Sequence, residues 1–318
     1  MSDTAIDGGG LAYHRLQRLG PWSWWRPVLG VLGLLVAFVV VVPVVVLVVF
    51  TAGIVVSGAD VTSTVERMLD TDRVTPLALA YLNVAIGAMI PVTWLLMRAL
   101  HGLRPRWLAS VAPRIRWRWL AACFGLAMAS LVVTLMVAAL LPARAEGAEL
   151  GGGLNDFTST TRDFLLIIAL LTPLQAAGEE YVFRGYLTQA FGGLVRAPWL
   201  AVLGPALLFA LAHGAQDPPV FFDRFAFGVV SGLLVILTGG LEAGIAMHVL
   251  NNFLAFGVAL AFGEMATVLN PTGGTWWSLP VTLTQSLSFL GLTVLVARAT
   301  GLQTRTERLV LEAPGPRV

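Results

Sequence analysis

Lysine is absent from this chain, and charge of either sign is scarce. Its 318 residues carry 20 basic side chains, all arginine, and 18 acidic ones, only 12% in all, against about 25% in soluble proteins. No soluble domain of useful size fits that deficit. Cysteine is nearly missing as well: Cys123 alone, inside an apolar run, excludes an internal disulfide and a cysteine metal cluster. Neither HExxH nor GxSxG occurs, so the patterns of soluble zinc proteases and serine hydrolases are not met. The arginines sit in short loops rather than in a basic tract, which gives no nucleic-acid partner. No internal repeat is found, and a repeat is what a transporter built from inverted halves would show.

What is present is apolar length. Hydrophobic residues make up 57% of the chain and its mean hydropathy is +0.81. Runs of at least 18 apolar residues recur, each long enough to cross a hydrocarbon core of roughly 30 Å as a helix. The sequence predicts an all-α, polytopic transmembrane helical bundle of about eight spans, at 28–56, 76–99, 119–142, 164–192, 198–213, 219–238, 241–262 and 277–299. The first stretch is too long for a cleaved signal peptide and reads as a retained span.

Arg15, Arg18 and Arg26 precede the first span, six arginines from Arg98 to Arg118 separate the second from the third, and Arg305, Arg308 and Arg317 follow the last. The positive-inside rule places these segments, and so the N and C termini, in the cytoplasm. The loops 57–75 and 143–163 are richer in acids and are expected outside. Tryptophans such as Trp22, Trp24, Trp25, Trp107, Trp117, Trp119, Trp276 and Trp277 mark span ends, where their rings favour the headgroup region. The chain divides into a tail (1–27), three spans (28–142), a polar-bearing core (160–262), a last span (263–300) and a second tail (301–318).

The first three spans contain almost nothing ionisable, whereas 164–262 holds Glu179, Glu180, Arg184, His213, Glu242, His248, Asn251 and Asn252 in or beside apolar runs. A charge at a helix centre costs about 2.5–3.5 kcal/mol on insertion scales, so such residues face the bundle interior and mark pathways or sites. Glu180 and Arg184 are i,i+4 neighbours able to neutralise each other. Glu179, rotated about 100° from Glu180, is free to address a cavity; a structural ion-pair network with Arg184 is the plainer account of both acids. Phe209 and His213 share a face, though a histidine before Gly214 also suits a span end. His248 and Asn252 share another, where a buried His–Asn hydrogen bond is the plain alternative. Glu242 is either a supporting partner or an interfacial charge.

A glutamate, two histidines and an asparagine from three helices can activate water in two ways. A divalent metal such as Zn, held by Glu179, His213 and His248, would lower the pKa of bound water. Without metal, the carboxylate and a histidine take the proton while N–H groups stabilise the oxyanion. The sequence leaves both open.

Glu179-Glu180-x-x-x-Arg184, Phe209-x-x-x-His213 and His248-x-x-x-Asn252, in that order over about 160–262, resemble the three motifs of the CPBP family, which includes type II CAAX prenyl endopeptidases and bacteriocin-related immunity proteins. The resemblance implies an intramembrane endopeptidase acting on a peptide or membrane-protein substrate within the bilayer. Glu179 and His213 would activate water, and His248 with Asn252 would bind the oxyanion or complete a metal site. Glu180, Arg184 and Phe209 would support them.

An arginine-only composition suits a GC-rich bacterium and its cytoplasmic (inner) membrane, with the oligomeric state left open. Rival readings are a non-catalytic scaffold or immunity protein, and a proton-coupled transporter. One difficulty is apparent: a fifth span running from 198 would carry His213 away from the mid-depth of Glu179, unless that helix is shifted, or broken at Gly204-Pro205.

Overall fold

The computed structural model describes residues 10–140, 153–195, 197–214, 217–269, 276 and 278–307. It is helical throughout and no β-strand occurs among these residues. Trp277, Arg308, Arg317 and part of the 143–163 loop fall outside them.

The helices are α1 (Trp25–Ser57), α2 (Val61–Leu69), α3 (Pro76–His101), α4 (Trp117–Ala138), α5 (Ser159–Leu194), α6 (Leu200–Ala212), α7 (Pro218–Thr238), α8 (Glu242–Phe262), α9 (Ala266–Leu269) and α10 (Ser278–Ala299). Seven of them, all but α2, α6 and α9, are long and apolar enough to cross a membrane. The expected fifth span is the exception. α6 has 13 residues, about 20 Å of helix, and does not by itself match the hydrocarbon thickness.

Starts and stops follow local chemistry. Thr75 caps α3 through the amide of Ala78 with Pro76 behind it, Thr158 and Thr161 form a reciprocal capping box on α5, and Asp217 caps α7 ahead of two prolines. Side-chain oxygens there satisfy amides that have no intrahelical partner. Proline also explains two irregularities. Pro43 has no N–H for the carbonyl four residues back, and α1 widens to a π turn over Ala37–Val41 just before it. Pro91 leaves the Gly87 carbonyl without its usual donor, and the helical hydrogen bonding of α3 is interrupted at Ala88.

The arginine-bearing segments, far apart in sequence, converge on one end of the bundle. Leu11 and Thr306 exchange hydrogen bonds, Tyr13 donates to the Leu108 carbonyl, and Arg18 donates to Gly193. Arg116 meets Glu242, Thr238 and Gln303. Gly239, at φ 71°, turns the chain out of α7 so that 239–241 pair with 109–111; a positive φ of this kind suits glycine. Asn155 ties the opposite, acid-bearing end together through the carbonyls of Leu260 and Gly263. The described parts of both termini therefore lie at the same end of the bundle.

α1 and α4 present rows of exposed aliphatics such as Val44, Val48 and Leu135, a face suited to lipid. α5 is the most enclosed of the long helices, with half of its apolar window buried. The polar residues ride on this central helix and on its neighbours α6, α7 and α8.

Candidate active site

α5 continues unbroken through Pro173 and becomes π-helical over Glu180–Leu187, so that Thr188 hydrogen-bonds the Phe183 carbonyl five residues back. The wider turn changes the angular spacing of side chains, and π turns recur at functional sites. Glu179 and Glu180 straddle its start. Both are buried, Glu180 completely.

They do not part company as their 100° separation suggested: both reach His248 of α8, one at each ring nitrogen. Glu180 Oε1 lies 2.9 Å from Nδ1 and Glu179 Oε2 lies 3.3 Å from Nε2. Glu180 is also held by Arg184 at 3.1 Å and by the Ser231 hydroxyl at 2.8 Å. The Arg184 guanidinium lies 4.1 Å from the centre of the Phe209 ring, a cation–π contact that covers its other face. The expected Glu180–Arg184 pair is thus present, and it anchors a histidine.

Glu179 is held differently. Its Oε1 accepts from Gln175 Nε2 at 2.7 Å, while its Oε2, buried, makes no hydrogen bond. Gln175 in turn accepts from Asn252 Nδ2 at 2.9 Å, so Asn252 is tied to α5 rather than to His248 in its own helix. Gln175 and Ser231 carry no motif signal; the only hint was that Gln175 stands four residues before Glu179 on a helix.

His213 follows the last turn of α6. Its Nδ1 donates to the Phe209 carbonyl at 2.8 Å, since a carbonyl can only accept, and the two rings are 4.5 Å apart. Phe209 also packs edge-on to His248 at 6.0 Å. The shortness of α6 resolves the depth difficulty: the helix is unbroken at Gly204-Pro205 and ends at Ala212, where His213 lines the same cavity as Glu179 and His248. That cavity, about 320 Å³, is lined also by Gln175, Asn251 and Asn252 and extends to Thr71 and Leu269 near the acid-bearing end. Glu242 lies outside it, bound to Arg116 at 2.7 Å.

Among the described residues no three His, Cys, Asp or Glu side chains converge as a metal-binding set. Glu179 Oε2 and His248 Nε2, 3.3 Å apart, are two donors, whereas a catalytic zinc site takes three from the protein.

Residues 161–254 match the family model described as type II CAAX prenyl endopeptidase Rce1-like. The match spans less than a third of the chain, and over that segment the chain is similar to the CPBP, or CAAX-protease, family of intramembrane endopeptidases. It is also similar to the uncharacterized protein YyaK of Bacillus subtilis (strain 168), 28% identical over 230 residues that cover 68% of this chain and 75% of that one. No solved structure matches.

Proposed function

We propose that this protein hydrolyses a peptide bond of a membrane-held substrate inside the cavity, with Glu179 as general base. The observation that carries the reading is the contrast between its two oxygens. Oε1 is fixed by Gln175, and Oε2 is buried without a hydrogen bond, positioned to take a proton from a water. Geometry of this kind precedes any argument from acidity.

His213, whose Nδ1 donates to Phe209, has Nε2 as its accepting nitrogen and helps Glu179 orient the water. Attack on the substrate carbonyl transfers the water proton to Glu179 and places negative charge on the carbonyl oxygen. A second Asn252 N–H and the Nε2–H of His248 stabilise that charge. The proton then passes to the leaving amine.

The arginine-bearing end faces the cytoplasm by the positive-inside rule, and a bacterial cytoplasmic membrane is the setting. The substrate reaches the cavity from the acid-bearing side, near Thr71 and Leu269. Purified protein is tested on a library of membrane-tethered peptides, beside Glu179→Ala and His213→Ala variants, with and without chelator. The expected result is cleavage lost in both variants and unaffected by chelator. Equal activity in wild type and variants overturns the reading, and chelator sensitivity replaces glutamate chemistry with metal chemistry.

A further inference from the structure

The cavity is lined by an arginine that the hydrolytic chemistry does not use. Arg224 lies on α7 one turn before Phe227, whose ring is 5.2 Å from that of His248, and it lines the same cavity as Glu179 and His248. It stands nearer than Phe227 to the Asp217 end of α7, by about 4.5 Å of helix.

Arg184 and Arg224 are in opposite states. Arg184 is 1% exposed, 3.1 Å from Glu180 and faced by an aromatic ring. Arg224 keeps 27% of its side chain exposed and lies 3.8 Å from Oδ2 of its neighbour Asp223, beyond hydrogen-bond length. Its Nε is buried and makes no hydrogen bond. Asp223 also approaches Thr282 of α10, and its buried Oδ1 makes no hydrogen bond. Among the described lining residues Arg224 is the only arginine.

A guanidinium does not shed its proton in a protein, and its planar fork of N–H groups matches a carboxylate in paired hydrogen bonds. Holding that charge beside an apolar wall is unfavourable unless an anion completes it. Apart from Thr71 and the Glu179, His213 and His248 group, the lining of that cavity is apolar or amide, including Leu79, Leu82, Asn83 and Phe256, surroundings that suit a peptide rather than a phosphate. We propose that Arg224 is a specificity-determining residue that binds a carboxylate of the substrate, either its chain terminus or an acidic side chain. It thereby selects which peptides enter and fixes their register against Glu179. The effect on turnover rests on the hydrolase reading, whereas the binding itself does not.

The test uses full-length protein in neutral detergent and three fluorescein-labelled apolar hexapeptides. One ends in a free acid, one in an amide, and one in an amide with a glutamate at the penultimate position. Binding is read by anisotropy in the Glu179→Gln background, and cleavage in wild type. The free-acid or the glutamate peptide is expected to bind at least about tenfold more tightly than the neutral amide, and whichever does identifies the source of the carboxylate. Arg224→Gln should bring that ratio to about one, and Arg224→Lys should restore part of it. Because the neutral amide is a control on unchanged protein, a misfolded variant cannot imitate the result.

Equal binding of all three peptides, or a ratio that survives Arg224→Gln, overturns the proposal. Selective binding without any cleavage would sink the hydrolase reading and leave the carboxylate site standing. Cleavage that depends on Glu179 but is indifferent to the carboxylate would do the reverse.

Discussion

Glu179 Oε2 and His248 Nε2 face each other at 3.3 Å, while the opposite nitrogen of the same imidazole is held at 2.9 Å by Glu180. An ionised carboxylate oxygen only accepts, so the approach is favourable with a proton between the two atoms. Glu179→Gln keeps the shape and abolishes the base. Cleavage of a tethered peptide should fall by about 10²–10⁴-fold in kcat, with KM changed less than threefold. Residual activity within tenfold of wild type would remove Glu179 from the reaction.

Glu180 and Arg184 belong to the scaffold of the site. Replacing Glu180 by Gln leaves a fully enclosed guanidinium without its carboxylate, and breaking a buried pair from one side costs about 3–5 kcal/mol. Thermal unfolding in detergent should show a marked drop for Glu180→Gln. The double change Glu180→Leu with Arg184→Met should recover much of the stability, since it leaves no orphan charge, yet remain inactive because His248 Nδ1 has lost its acceptor. Activity in that double variant would show that His248 needs no such orientation.

Gly178 stands directly before the two glutamates, and a Cβ there would run into the Ile86 carbonyl of α3. That close approach occurs beside the interruption at Ala88, which follows from Pro91. Gly178→Ala should push α3 from α5 and displace Glu179. We expect at least tenfold loss of cleavage with a lower unfolding temperature. An unchanged rate would mean that α3 yields without moving the base.

The sequence made the bundle legible because lipid imposes one rule on every span, continuous apolar length, and the helices at 76, 218 and 242 begin within three residues of their expected positions. The motif residues stood out as well, since polar and charged side chains in apolar runs are rare. What stayed hidden has a common cause. Gln175, Ser231 and Arg224 are single polar residues whose partners come from other helices, and periodicity within one helix says nothing about those. Asn252 illustrates it: spacing paired it with His248, whereas packing pairs it with Gln175. The apolar run expected at 198–213 is a helix over Leu200–Ala212, but apolar character alone did not reveal that it is shorter than the other spans.

His14 offers a pH-dependent contact outside the spans. Burial, reinforced by Arg15 and Arg305, pushes its imidazole down from 6.5 to about 4. The undocked segment then takes up a proton at a higher pH than the docked one. Docking is at full strength above about pH 6.5 and weakens as pH falls towards about 4. Hydrogen exchange at the amides of 11–19 should accelerate across that window, and His14→Gln should flatten the profile. A profile identical in both proteins would assign the change to another group.

The clasp between Leu11 and Thr306 has a consequence for the order of assembly. Residues 13–19 cover the arginine-bearing end of α5, and they are pinned by a segment that the ribosome makes only after every helix of the bundle. Until α10 has been threaded into the membrane, that cover is held by its other contacts, such as those with Leu108 and Gly193. The connectivity therefore acts as a clock: the end of the glutamate-bearing helix is fastened last, by which time the rest of the chain has reached its place.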